Sequence, residues 1–182
     1  MEQKDYKLEI VKILLKGKKH VRQIAREIGT NHMTISRRMQ ELFRDNVVDF
    51  EQEGKNKTYF LKKTIEARAY VLMTEQYKLI QTLKKYPLLQ IVIERIREDK
   101  QVRLAILFGS YAKELARKDS DIDVYIETKD RELKKKLSLI DTRLSIKIGK
   151  YDKMSNLIKE IDKNHVIIKG NEEYYEKNQF FS

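Results

Sequence analysis

The stretch LFGSYAKELARKDSDIDVYIE, Leu107 to Glu127, gathers the residues of this chain best suited to chemistry. Asp121 and Asp123 alternate with Ile122, so on a β-strand both carboxylates leave one face, about 7 Å apart at their backbones. Ile122, Val124 and Ile126 then bury the other face. Two carboxylates held this close repel unless a cation joins them, and paired acid oxygens suit Mg2+ or Mn2+. Gly109 lets the backbone approach closely. Ser110 and the first amides of a following helix can hold phosphate oxygens at the positive end of the helix dipole. Lys113, Arg117 and Lys118 either assist with such an anion or are simply exposed, and Asp119 reads as a loop or capping residue. A plain strand–turn–helix, with Ser120 and Asp121 capping a turn, leaves Asp123 unexplained.

The elements around this stretch read as a mixed α/β fold. VRLAILF (102–108) is nearly all apolar and predicts a buried strand, DIDVYIE (121–127) a second and RLSIKIG (143–149) a third. Helices are expected at 131–139 and 153–162, an edge strand at 165–170 and a short terminal helix at 171–177. Upstream, Thr64 to Tyr86 predicts a long helix that Pro87 ends or kinks, and helical pattern resumes over Leu88–Arg97.

The order of apolar strand, Gly109-Ser110, short helix and Asp121-Ile122-Asp123 resembles the nucleotidyltransferase superfamily typified by DNA polymerase beta, in particular its minimal members. The resemblance covers roughly 100–170. It implies a nucleoside triphosphate bound with a pair of Mg2+ ions roughly 4 Å apart, with Asp121 and Asp123 as metal-binding catalytic residues and Gly109 and Ser110 at the nucleotide. It also implies transfer of a nucleoside monophosphate to an acceptor hydroxyl on protein, nucleic acid or small molecule. Antitoxin-like members of the family modify a toxin-like protein partner, which puts such a partner among the expectations. One departure is specific. The family places a third carboxylate on a later strand, and in TRLSIKIGK the alternating positions are Ser145 and Lys147. Asp141 and Asp152 lie just outside that strand, and Glu127 is well over about 10 Å from Asp121 along its own. A non-catalytic regulator that senses nucleotide or binds a partner through the same fold is therefore the alternative reading.

The first third of the chain carries a different pattern. A helix over Asp5–Lys16, a second in HVRQIAREIG and a third in TNHMTISRRMQELFRDN, N-capped by Asn31, precede two short strands, 47–53 and 57–62, joined by a turn at 54–56. VRQIAREIGTNHMTISRRMQEL followed by VVDFEQEGKNKTYFL resembles the winged helix-turn-helix family. That resemblance implies double-stranded DNA as a partner, with the third helix in the major groove. Ile35, Met39 and Leu42 form its core face. Arg37, flanked by Ser36 and Arg38, lies opposite, His32 and Thr34 stand near the helix start, and Lys55 and Lys57 on the wing suit phosphates. A winged helix used only for packing or dimerisation is the alternative.

Charge supports the first reading. The net charge is +11 and the pI about 9.6, which favours a polyanionic partner, although a lysine-rich surface alone produces the same numbers. Residues 1–63 hold 15 Lys and Arg against 9 Asp and Glu, whereas 101–182 hold 17 against 14, so the basic excess is concentrated N-terminally. The absence of cysteine excludes disulfides and thiolate metal sites, and His20, His32 and His165 have no metal-ligand spacing. No apolar run approaches the roughly 20 residues that span a bilayer, so no membrane contact and a cytoplasmic location are expected. The expected architecture is α/β (α+β): a winged helix-turn-helix at 1–63, a helical connector at 64–99, and a nucleotidyltransferase-like domain of mixed sheet with flanking helices at 100–182. A homodimer through the 64–86 helix is one way to cover its apolar stripe; coverage by the chain's own domains is the other.

Overall fold

A computed structural model describes residues 4–54 and 56–181. The chain divides into two compact units, with the boundary between Thr74 and Glu75. The boundary falls inside one helix, so the segment 64–99 is shared between the two units.

In the first unit, Asp5 caps α1 (Tyr6–Leu14), its Oδ1 accepting from the backbone N–H groups of Lys7 and Leu8. A two-residue strand, β1 (Lys19–His20), leads into α2 (Val21–Ile28), which Gly29 ends in the left-handed conformation. Asn31 caps α3 (His32–Arg44) by accepting from the Met33 N–H at 2.7 Å, the cap expected from the sequence. β2 (Val48–Glu53) and β3 (Asn56–Leu61) form an antiparallel hairpin with Phe50 opposite Tyr59. β1 adds to its other side in the order β1-β3-β2. Ile10, Val11, Ile24, Ile35, Met39, Leu42 and Val48 are fully buried. Three helices, a minimal first strand and a hairpin wing make this unit a winged helix-turn-helix. α4 (Ile65–Lys85) begins here, its first turn held by Thr64 Oγ1, which accepts from the Ala67 N–H.

The second unit contains the latter part of α4 and α5 (Leu89–Glu98), separated at Pro87. It continues through β4 (Ala105–Leu107), α6 (Gly109–Ala112), β5 (Ile122–Glu127), α7 (Arg131–Ser138), β6 (Leu144–Gly149), α8 (Asn156–Lys163), β7 (Val166–Lys169) and α9 (Asn171–Lys177). The sheet order is β6-β5-β4-β7, with β5 and β6 parallel and both other pairings antiparallel, so β7 is the edge strand expected. Ile122, Val124 and Ile126 join Leu144 and Ile146 in one core with Val92, Ile93 and Ile96 of α5 and Leu133 and Leu137 of α7.

Three boundaries differ from the sequence reading. The strand expected over 102–108 is only Ala105–Leu107, because Val102 N–H turns back to the Asp99 carbonyl. The helix expected from 153 starts at Asn156, because Asp152 accepts from the Met154 N–H in a local turn and Ser155 supplies the cap. The helix after Gly109 is a single turn of 4 residues, too short for the dipole expected to hold phosphate. Among the described residues, no helix is long and apolar enough to cross a membrane.

Candidate functional site

β4 runs out at Leu107, and the chain turns sharply at Gly109, whose φ of 69° is left-handed. The turn brings Gly109 onto the side chain of Asp123: a β-carbon at Gly109 would collide with the Asp123 carboxylate. The Phe108 N–H donates to the Asp123 carbonyl at 2.9 Å, fixing the turn against β5. The Lys113 N–H donates to the Gly109 carbonyl and the Leu115 N–H to that of Ser110, closing α6 beside it. The Gly-Ser turn and the second acid of the pair are thus one local structure.

Asp123 is half-buried between Ile122 and Val124, which are fully buried on the opposite face. Its partner across the parallel pair is Ser145, a hydroxyl next in register on the same face. Burial pushes the Asp123 carboxyl above the usual carboxylate range and the Asp121 charge adds to this, while the Ser145 hydroxyl and the Lys147 ammonium pull the other way. Asp121 is exposed and stands one residue before the strand begins. The two acids are therefore unequal: one is seated and oriented, the other open to solvent.

The other acids near this strand are engaged elsewhere. Asp141 is held by Arg143, whose Nε and Nη2 donate to its two oxygens at 3.1 and 2.8 Å and keep it below the usual carboxylate range. Asp152 accepts from the Met154 N–H, and Glu127 accepts from the Tyr151 N–H and pairs with Lys177 at 3.0 Å. Among the described residues, no group of three His, Cys, Asp or Glu side chains has metal-holding geometry. Glu160 of α8 is a neighbour that the sequence reading missed. It pairs with Lys113 at 3.2 Å, and its charge is felt at Asp123. Nothing in the spacing from Lys113 to Glu160 signals that contact. Arg117 and Lys118 are exposed on the loop before Asp121, and the Arg117 N–H donates to Ser120 Oγ at 2.8 Å.

The fit to a divalent cation rests on donor chemistry. Asp121 and Asp123 offer hard carboxylate oxygens, the class of donor that Mg2+ takes one or two of while keeping water and phosphate oxygens as its other ligands. Seating one carboxylate against a glycine limits its direction in advance, as a metal ligand requires.

The first unit presents a separate surface. Arg37 is exposed at the middle of α3, and His32 is exposed at its start, while Thr34 and Ser36 are half-buried. Arg38 is less available, because its Nη1 donates to both oxygens of Glu41 at 2.9 and 3.0 Å. Lys57 lies with its ammonium 3.9 Å from the centre of the Phe50 ring, and Lys55 falls outside the described residues. Gln40 and Arg44, three and seven residues after Arg37, are exposed along the same stripe, and Arg22 and Arg26 are exposed on α2. The 3.6-residue period counted outward from Ile35 and Met39 places Gln40 and Arg44 on this face.

The family model described as polymerase beta, nucleotidyltransferase matches residues 90–180. Among solved structures, the chain is similar to the transcriptional repressor BigR from Xylella fastidiosa, at 22% identity over 37% of this chain and 67% of that one, with a TM-score of 0.34. It is also similar to the homodimeric winged helix-turn-helix DNA-binding domain of a possible ArsR-family transcriptional regulator from Mycobacterium bovis. That likeness has 28% identity over 38% of this chain and 65% of that one, with a TM-score of 0.35. No curated protein matches the chain.

Proposed function

Because the chain belongs to the polymerase beta nucleotidyltransferase family, we propose that it is a DNA-binding protein whose second unit binds a nucleoside triphosphate with Mg2+ and transfers the nucleoside monophosphate to an acceptor hydroxyl. The observation that carries this reading is the packing of Gly109 on the Asp123 carboxylate, with Ser145 beside Asp123 in register. A phosphate-approach turn and a preoriented metal ligand are assembled at one point of the fold.

Each residue has a defined task. Gly109 keeps the turn free of side-chain bulk so that phosphate oxygens can reach the backbone, and the Ser110 hydroxyl offers one of them a donor. Asp121 and Asp123 would hold the divalent cation. When bound, that ion neutralises phosphate charge and makes the α-phosphorus a better electrophile. Lys147, two residues beyond Ser145 in the same register, adds positive charge for the remaining phosphate oxygens. In the first unit, α3 enters the major groove with Arg37 towards base edges, and Lys57 meets phosphate from the wing. A free protein of this charge associates with DNA in a salt-dependent way.

A second reading has its own support. Ser145 stands where a carboxylate would be needed to take the acceptor's proton, and Asp141 and Asp152 are committed to Arg143 and to a turn. On that reading the site senses nucleotide and regulates DNA or partner binding without transfer. Both readings require metal-dependent nucleotide binding. Calorimetric titration with an equimolar mixture of the four α,β-methylene triphosphates, with and without Mg2+, tests that shared requirement. Binding that needs Mg2+ and disappears in Asp121→Ala/Asp123→Ala is expected; binding indifferent to both would refute both readings.

A further inference from the structure

The hairpin of the first unit sorts its side chains by face. In the β2–β3 register Phe50 stands opposite Tyr59 and Gln52 opposite Lys57, and β1 adds Lys19 beside Tyr59. Asp49 and Glu51 alternate onto the other face, opposite Phe60 and Thr58. Phe43, in the last turn of α3, extends the aromatic face: its ring centroid lies 5.8 Å from that of Phe50, which lies 5.6 Å from that of Tyr59. Phe43 is 46% exposed, more than any other described Phe or Tyr, and Phe50 and Tyr59 are only half-buried. Lys57 is exposed, with its ammonium 3.9 Å from the centre of the Phe50 ring, and the exposed Arg44 follows Phe43 on α3. We propose that this face is a second nucleic-acid surface, which takes an unpaired stretch of strand by stacking bases on Phe43 and Tyr59 while Lys57 and Arg44 meet its phosphates. The inference goes beyond duplex reading through Arg37 and does not depend on it.

The chemistry of the face selects its occupant. In a duplex each base is covered by its stacked neighbours, and a protein reaches only base edges from the grooves. An unpaired strand instead offers the flat face of every base, which aromatic side chains stack on whatever the sequence. Phosphates need cations beside those rings, and Lys57 and Arg44 supply them. Of the described hairpin residues that the register sets on this face, none is acidic, so nothing in the row itself repels a phosphate. Lys19 adds least, because its Nζ already lies 2.8 Å from Glu27. A protein partner fits less well, since lysine is depleted at the centre of protein–protein interfaces.

The test separates bases from phosphates. Fluorescence anisotropy of the full chain compares labelled oligo-dT and oligo-rU, an abasic strand of equal length, and a random-sequence duplex. Either homopolymer bound at least about tenfold more tightly than the abasic strand supports the proposal, and the tighter of the two identifies the sugar of the strand. Phe43→Leu/Tyr59→Leu keeps apolar bulk but removes both stacking faces, and should cost about tenfold in single-strand affinity while duplex affinity stays unchanged. Phe43→Leu alone, at an exposed position, repeats the measurement with the core untouched and should cost about threefold. An abasic strand bound as tightly as both homopolymers, or single-strand affinity unchanged in both variants, would overturn the inference. A chain that binds the duplex but neither homopolymer overturns this inference alone; one that binds a homopolymer but no duplex overturns the duplex reading alone.

Discussion

Gly109 rests directly on the carboxylate of Asp123, in a backbone conformation with φ of 69° that residues bearing a side chain rarely adopt. Gly109→Ala therefore combines strain with collision. It should lower stability by about 2–4 kcal/mol in urea denaturation and cost more than about tenfold in nucleotide affinity, because Asp123 must move. Gly29→Ala is the control. Its φ is 75° but nothing lies within 4 Å of an added β-carbon, so it should cost only about 1 kcal/mol and leave nucleotide affinity unchanged.

The second unit holds a buried acid that its position conceals. Glu75 is fully buried; its Oε1 accepts from the Tyr175 hydroxyl at 2.6 Å and its Oε2 from Lys78 Nζ at 2.8 Å. Burial raises the Tyr175 phenol far above its ordinary value, so it remains a donor at every accessible pH. Tyr175→Phe should lower the stability of the chain by about 2–3 kcal/mol, measured by denaturant titration, because it withdraws a donor from a desolvated carboxylate.

His165 sets a pH window. Its ring is buried beside Glu75, its Nδ1 lies 3.1 Å from the Ile161 carbonyl, and its Nε2 has no hydrogen-bond partner among the described residues. Burial first, and the Lys78 charge next, lower its pKa from 6.5 to about 4. Between those values the unfolded chain binds the proton and the folded one does not. The stability contributed by a neutral His165 is therefore complete above about pH 6.5 and lost as the pH falls towards 4, by about 3 kcal/mol in all. His165→Gln should flatten the stability profile across that window. The lowered carboxyls of Asp45, Asp99 and Asp141 act at lower pH, through and below the ordinary carboxylate range.

At the proposed DNA surface, the exposed Arg37 and the engaged Arg38 should separate. Arg37→Ala is expected to weaken duplex binding by about tenfold, whereas Arg38→Ala, whose guanidinium is already shared with Glu41, should do less. If the Arg37 contact is to phosphate, the slope of log affinity against log salt falls by about one; if it is to a base edge, sequence preference relaxes instead. Fluorescence anisotropy over a salt series reads both. Unchanged affinity in Arg37→Ala would refute the placement of α3.

The strong periodic elements were legible in advance. The hairpin, the Asn31 cap and the alternation around Asp123 follow from local pattern, and each is set by residues within a few positions of one another. Contacts that close over distance were not. β1 is two residues long and carries no period, yet it completes the wing sheet by pairing with Tyr59 and Thr58. Glu75 sits in a helix where a charged residue reads as solvated, and its burial depends on Tyr175, 100 positions away. Glu160 meets Lys113 across 47 positions of sequence, a contact that no local pattern carries. At the candidate site, the turn at Gly109 and the alternating faces of Asp123 and Ser145 could be read from spacing, whereas the exposure of Asp121 ahead of the strand could not.

The central claim is transfer, and one assay reaches it directly. The full chain is incubated with each of the four nucleoside triphosphates, radiolabelled at the α-phosphate, with Mg2+ or Mn2+ and an extract supplying acceptors, alongside Asp121→Ala/Asp123→Ala. Label joined to an acceptor by the wild type and absent with the double variant is the predicted result. Metal-dependent nucleotide binding with no label transferred under any of these conditions would contradict it, and would leave the nucleotide-sensing reading in its place.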